Sequence, residues 1–249
     1  MLKRTFQTLV ALSPLVIAGT ASALSITVDN TWSGHSIAGT GFTATACNTT
    51  LSCAVGTLGT KAIPTVGLGA GVVGNDNNEI DYYGNGSEML RFNFDTATVI
   101  TSLQLGLLFE GPEYADYQEV ATFRVTYADN SVSGLFNLMA KYVTNASWTY
   151  TWNGSGSWAG SDVVNGGAGL WTASNLFGTS AITQLDMFAS AGVCGTGSGS
   201  CSDQSDYVFR SLSDLTPTTQ APEPATLLLL GTGLVGLSAA ARRRRKIQA

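Results

Sequence analysis

Alternation of apolar and polar residues over short runs is the feature of this chain that most constrains its fold. In MLRFNFD (89–95), Leu90, Phe92 and Phe94 alternate with polar residues, and ATFRVTY (121–127) repeats the pattern. A period of two places successive side chains on opposite faces of a strand, so each run fits a half-buried β-strand. Clusters of Gly, Asn and Asp separate the runs, as turns require, and residues 128–131 (ADNS) are predicted to form a hairpin turn between two of them. We therefore predict an all-β fold, an antiparallel β-sandwich (jelly-roll-like) ectodomain over residues 24–215.

The amino terminus has the three parts of a secretory signal peptide. Lys3 and Arg4 precede an apolar run, which ends in Ala21-Ser22-Ala23. A basic start, a short apolar middle and a small-x-small site, in this order, predict export and cleavage after Ala23. We assign residues 1–23 to a signal peptide, with Ala21 and Ala23 as its cleavage residues.

A second apolar stretch, residues 225–241, lies near the carboxyl end and is followed at once by a basic cluster. As a helix it would be about 26 Å long, close to the ~30 Å of bilayer hydrocarbon. Each basic side chain costs about 2.5–3.5 kcal/mol at the membrane centre, so the cluster should stop translocation and stay cytoplasmic. The pattern predicts one C-terminal transmembrane helix with the main domain outside. The stop-transfer residues are Arg242, Arg243, Arg244, Arg245 and Lys246.

Pro222, Glu223 and Pro224 stand directly before this stretch. The prolines cannot continue a helix, so the three residues should remain extended at the membrane face, where a protease can reach them. The preceding residues 216–221 (TPTTQA) are predicted to be a short, stiff linker between the sandwich and the tail.

The order of Pro-Glu-Pro, apolar helix and Arg-rich end resembles the PEP-CTERM sorting signal of Gram-negative bacteria. The resemblance covers Ala221 to about Lys246, within a tail of residues 222–249. It implies that Pro222, Glu223 and Pro224 are sorting residues and that an exosortase-type membrane protease cuts near them. It also implies an inner-membrane-anchored precursor, a mature protein at the cell surface or outside the cell, and exopolysaccharide as a partner.

Without its two ends the chain is acidic. Residues 24–221 hold five basic and sixteen acidic residues, which gives a formal net charge of −11. A field of this sign repels nucleic acid and anionic lipid, so we exclude nucleic acid as a partner. It favours divalent cations or neutral polymers.

Four cysteines form two local pairs, Cys47 with Cys53 and Cys194 with Cys201. In an oxidising compartment these pairs predict two small disulfide loops, with long-range pairing of the two segments as the alternative. Their spacing and the single histidine, His35, argue against a zinc site.

Nine of the sixteen acidic residues lie between Asp76 and Glu119. Calcium takes six to eight oxygen ligands, including carboxylates and amides, so calcium is the candidate ligand of this segment. The candidate metal ligands are Asp76, Glu79, Asp81 and Glu88, which Glu110, Glu113, Asp116 and Glu119 could complete. The competing interpretation is a solvated acidic edge that blocks aggregation between sheets.

Aromatic residues suggest where a sugar could bind. Trp148, Tyr150 and Trp152 alternate and are expected on the core face of a strand. Trp158 and Trp171 lie among glycines and are the candidates for exposed ligand contacts.

The sequence offers no recognisable catalytic constellation, since it has one histidine and no G-x-S-x-G. With the resemblance, this predicts a non-catalytic exported surface or matrix protein that associates with exopolysaccharide. The jelly-roll variant is favoured by analogy with exported carbohydrate-binding modules. The alternatives are a structural acidic matrix protein without a specific ligand, and a secreted carbohydrate-active enzyme with two carboxylates from residues 79–119.

Overall fold

The structure is a computed structural model that describes residues 24–48, 53, 56–74, 78–83, 86–109, 118–144, 147–161, 168–193 and 204–218, with backbone only at 83, 142–144 and 147–148. The predicted signal peptide, the tail and the Cys194–Cys201 pair lie outside the described residues. The strands are β1 (Leu24–Thr27), β2 (Ser36–Gly39), β3 (Phe42–Cys47), β4 (Leu58–Ile63), β5 (Gly67–Val72), β6 (Ile80–Tyr83), β7 (Gly86–Ser87), β8 (Met89–Val99), β9 (Ser102–Gly106), β10 (Val120–Tyr127), β11 (Phe136–Thr144), β12 (Ser147–Trp152), β13 (Ser157–Ser161), β14 (Leu170–Ser174), β15 (Ile182–Ser190) and β16 (Ser205–Pro217).

Two sets of antiparallel strands make up the fold. The front sheet has the order β2-β3-β8-β15-β10-β11-β12. The back sheet has the order β4-β5-β16-β9-β14-β13, and β1 and β6 also pair with β16. The end of β8 pairs with the end of β16, so the network is continuous and nearly barrel-like. The prediction of an all-β antiparallel fold is confirmed, while the jelly-roll connectivity stays a prediction.

The main core lies between the two sheets. Leu90, Phe92 and Phe94 point into it, whereas Arg91 and Asn93 lie on the opposite face of β8. The predicted alternation is therefore confirmed in this strand, and β10 follows the same rule with Ala121, Phe123 and Val125.

Aromatic contacts join the two sheets within the main core, and one of them is the closest pair of rings in the described part of the chain. The Phe92 ring of β8 meets the Phe209 ring of β16 edge to face, with centroids 4.8 Å apart. Trp32 packs against both rings, at 6.2 and 5.7 Å. Burying these large rings supplies much of the apolar area that holds the sheets together.

The segment after β10 reverses the chain. The backbone N–H of Tyr127 donates to Ser131, and Asn130 adopts a positive φ of 66°, which Asn tolerates well. The side-chain and backbone hydrogen bonds of Ser131 lower the pKa of Asp129. The hairpin turn predicted at residues 128–131 is confirmed.

Strand β16 continues to Pro217, where Thr216 and Pro217 pair with Val99 and Thr98 of β8. The predicted linker at 216–221 therefore begins too early, because its first residues find hydrogen-bonding partners at a sheet edge. Residues 219–221 lie outside the described part.

Cys47 and Cys53 form a disulfide, as predicted. The bonded cysteines pack with Met89 and Phe188 on the outer face of the front sheet. The disulfide thus covers an apolar spot that would otherwise face water.

Candidate functional site

Three carboxylates meet where β6 lies against β16. Glu79 immediately precedes β6, Asp81 lies within it, and Asp206 of β16 is the cross-strand partner of Asp81. One carboxylate oxygen from each residue lies within 4.8 Å of one from each of the others. We call Glu79, Asp81 and Asp206 the carboxylate cluster.

Two members of the carboxylate cluster, Glu79 and Asp81, are withdrawn from solvent, and Asp206 is half-buried. Glu79 is 4% exposed and Asp81 is 2% exposed, and the neighbouring Glu88 is 8% exposed. The alternative interpretation, a solvated acidic edge, is therefore wrong for Glu79, Asp81 and Glu88.

Tight backbone packing brings the chain segments together here. The N–H of Val72 donates to the carbonyl of Glu79 at 2.7 Å. A Cβ on Gly71 would lie 2.4 Å from the backbone of Asn78 and Glu79, and one on Gly74 would meet the Glu88 carboxylate. Glycine is needed at position 71 because a side chain there would push the acidic segment away from β5, whereas a side chain at position 74 would displace the Glu88 carboxylate.

Like charges placed so close need compensation. The ammonium of Lys61 donates to Glu79 and supplies one opposing charge. Buried carboxylates stay ionised only when paired, and otherwise take up protons or bind a cation. The chemistry of the site is therefore that of a proton-sharing or cation-binding group of oxygens.

Tyr207 follows Asp206 in β16, but its side chain is fully buried in the main core on the other face. Burial raises the pKa of Tyr207 well above its ordinary value. Its hydroxyl therefore stays neutral at physiological pH and adds no charge to the cluster.

The predicted metal ligands have mixed outcomes. Glu79, Asp81 and Glu88 come together, since the N–H of Asp81 donates to Glu88 at 3.4 Å. Asp76 and the additional candidates Glu110, Glu113 and Asp116 lie outside the described residues. Glu119 instead accepts a hydrogen bond from the backbone N–H of Phe109. Asp206 was missed, because only the pairing of β16 with β6 reveals it.

Calcium binding at the cluster stays a prediction, and a melting experiment tests it. Calcium at about 100 times its dissociation constant would stabilise the fold by about 2.7 kcal/mol. In a domain of this size that is a rise in Tm of roughly 5–10 °C. We expect chelator to reverse the rise and Asp81→Asn to abolish it, while Asp95→Asn, at an exposed position, keeps it. An unchanged Tm would mean that Lys61 and shared protons neutralise the cluster.

A second group of charges lies on the outer face of the front sheet. Asp186 of β15 is fully buried and stands directly opposite Arg91 of β8 and Arg124 of β10. Arg91 Nε and Nη2 donate to its two oxygens at 2.7 and 3.0 Å, and Arg124 Nη2 donates at 2.8 Å. Gln184 adds a fourth donor at 2.9 Å. We call Arg91, Asp186 and Arg124 the arginine triad.

The two tryptophans predicted to be exposed are buried. Trp158 lies in β13 at 5% exposure and stacks on Phe123, and Trp171 lies in β14 at 0% and donates to the carbonyl of Leu108. The expectation of loop positions with exposed rings is wrong, because glycines around short strands resembled loops. Tyr150 and Trp152 pack against the core as predicted.

His35 lies exposed near the start of the domain, and its ring is 2.9 Å from the carbonyl of Gly56. The ring joins two loops and does not contact the carboxylate cluster through any hydrogen bond that the described residues show.

Comparison with known proteins identifies the tail. A family model described as the PEP-CTERM protein-sorting motif matches residues 220–245, which include the Pro-Glu-Pro residues and the four arginines. No curated protein and no solved structure matches the chain. Within the part that the structure describes, no helix is long and apolar enough to cross a bilayer, and residues 225–241 lie outside that part.

Proposed function

From the premise that the chain carries a PEP-CTERM sorting motif, we propose that it is a non-catalytic surface or extracellular-matrix protein that associates with exopolysaccharide. The motif implies an exported protein that an exosortase-type protease processes. The match at residues 220–245 is the observation that carries the proposal.

The short distance between fold and motif supports processing at the membrane. Thr218 still donates to the carbonyl of Ala97, so four residue steps separate the end of the sheet from Pro222. At about 3.3–3.6 Å per residue, these steps span at most ~14 Å. A precursor anchored by residues 225–241 would hold its β-domain close to the bilayer until the tail is cut.

Burial of the acidic groups favours binding over hydrolysis. A glycosidase needs an acid and a second carboxylate that face a bound sugar from a cleft. Glu79 and Asp81 are nearly inaccessible and crowd within 4.8 Å of each other and of Asp206. That arrangement suits an enclosed ion better than a sugar ring.

Retention on the producer's own exopolysaccharide tests the proposal. We expect the exported protein, purified from producing cells, to bind the immobilised polymer and elute with soluble polymer. A heat-unfolded sample of the same protein controls for adsorption. Loss of retention on every fraction of the polymer would favour the structural matrix protein without a specific ligand. Release of new reducing ends over time would favour the enzyme.

A further inference from the structure

We propose that the outer face of the front sheet binds an acidic sugar chain, with Arg91 and Arg124 as the groups that contact its carboxylates. This inference rests on the proposed function, because it names the chemistry and the site of the polysaccharide contact.

The face is built as polar rows that cross four neighbouring strands. Antiparallel register places one residue of β3, β8, β15 and β10 side by side in each row. The first row is Thr45, Arg91, Asp186 and Arg124, and the second is Thr43, Asn93, Gln184 and Thr126. With strands about 4.8 Å apart, each row is roughly 14 Å long, which is enough for a chain of sugars rather than one ring.

The triad carries one excess positive charge. Two guanidinium groups surround one carboxylate, and the side chains of Arg91 and Arg124 remain 24% and 34% exposed above a fully buried Asp186. Each guanidinium has five N–H donors. Arg91 uses two of them and Arg124 one on Asp186, so most donors remain for a ligand.

The buried carboxylate also prepares the two arginines for binding. A free arginine loses about 2 kcal/mol of side-chain entropy when a ligand fixes it. Asp186 has already fixed both side chains, since Arg91 and Arg124 both donate to its Oδ2, so an incoming carboxylate meets two neighbouring guanidinium groups in a set geometry. Arginine suits such a partner because its planar fork matches a carboxylate.

The exposed carboxylate of Asp95, on the same strand as Arg91, does not cancel this local excess. Asp95 lies four residues beyond Arg91 in β8, about 14 Å along the strand, and it is exposed. At 0.1 M salt the screening length is about 10 Å, so exposed charges at that distance act weakly. The second row adds amides and hydroxyls, which hydrogen-bond to sugar hydroxyl groups without favouring either charge.

The decisive variant is Arg124→Gln, since Asp186 keeps its two hydrogen bonds to Arg91 and the one to Gln184. The matched control is Arg210→Gln, which removes the same charge from the back sheet, where Arg210 donates to Gln104. Binding is measured with the exported protein on alginate and polygalacturonate as acidic probes and on dextran as the neutral probe. Melting curves verify that each variant is folded at the temperature of the assay.

We expect the exported protein to bind an acidic probe more tightly than dextran, and the affinity to fall with added salt. Arg124→Gln should weaken the binding by about tenfold, the value of one charge-assisted hydrogen bond. The affinity of Arg124→Lys should lie between those of Arg124→Gln and the unaltered protein, and the affinity of Arg210→Gln should equal that of the unaltered protein.

The results separate this inference from the proposed function. Binding to dextran as tight as to both acidic probes, or equal binding by Arg124→Gln and the unaltered protein, overturns the site. If the producer's own polymer still retains the protein in that case, the proposed function stands without this site. If that polymer does not retain the unaltered protein, the proposed function fails as well.

Discussion

Replacing Pro222, Glu223 and Pro224 with three alanines is expected to leave the C-terminal tail on the exported protein. The family match covers these residues. The two prolines cannot continue a helix, so we expect a processing protease to meet the segment in extended form. Alanine favours a helix, so the substituted segment would extend the apolar stretch instead of presenting a cleavable strand. Intact-mass spectrometry should find a carboxyl terminus near position 222 in the unaltered protein, and Ala249 in the variant.

Cell fractionation gives the second measurement of the same change. The variant should stay with the inner membrane, while the unaltered protein moves to the surface or the medium. Thr219→Ala, just outside the matched residues, is the control and should be processed normally. A variant that is cut like the unaltered protein would show that the Pro-Glu-Pro residues are not recognised.

Replacing Arg91 and Arg124 together with methionine is expected to destabilise the fold by about 3–5 kcal/mol, because it leaves a buried charge without its partners. Asp186 is fully buried and would retain only Gln184 among the donors that hold it. The loss equals roughly 6–20 °C in Tm for a domain of this size. Urea unfolding of the exported protein measures it through the midpoint at constant slope.

Adding Asp186→Leu to this double variant should recover most of the lost stability, since removing all three charges leaves no ion to desolvate. Arg210→Met controls for loss of a half-buried arginine elsewhere and should cost far less. A double variant as stable as the unaltered protein would mean that water reaches Asp186 and that the triad is not a buried ion group.

Much of the strand pattern could be predicted because it is local. In β8 the sequence MLRFNFD already separates Phe92 and Phe94 from Arg91 and Asn93, and the structure keeps them on opposite faces. The turn at residues 128–131 was equally predictable, because Asp and Asn accept the required backbone angles.

The candidate sites were predicted only in part. Glu79 and Asp81 share a parity, so their common face was foreseeable, but their partner Asp206 lies 125 residues further along the chain. The arginine triad could not be predicted for the same reason, because Arg91 and Asp186 are 95 residues apart in the sequence. No local pattern identifies which strand becomes the neighbour of another.

The predicted exposure of Trp158 and Trp171 was wrong. Their glycine-rich surroundings indicated exposed loops, yet both lie in short strands whose inner faces close the core. A single tryptophan per short strand gives too little alternation to indicate which face is buried.

The sequence by itself determined the sorting motif and the strands. The motif could be identified because its residues are contiguous, and the strands because alternation assigns each side chain to one of two faces. Tertiary structure alone decided which strands became neighbours, and so brought Asp206 to Asp81 and two arginines to Asp186. The physical reason is that a period of two is the same in every strand. The alternation therefore indicates which side chains of a strand share a face. Which residues become cross-strand neighbours depends on the pairing register, and packing of the whole core selects that register.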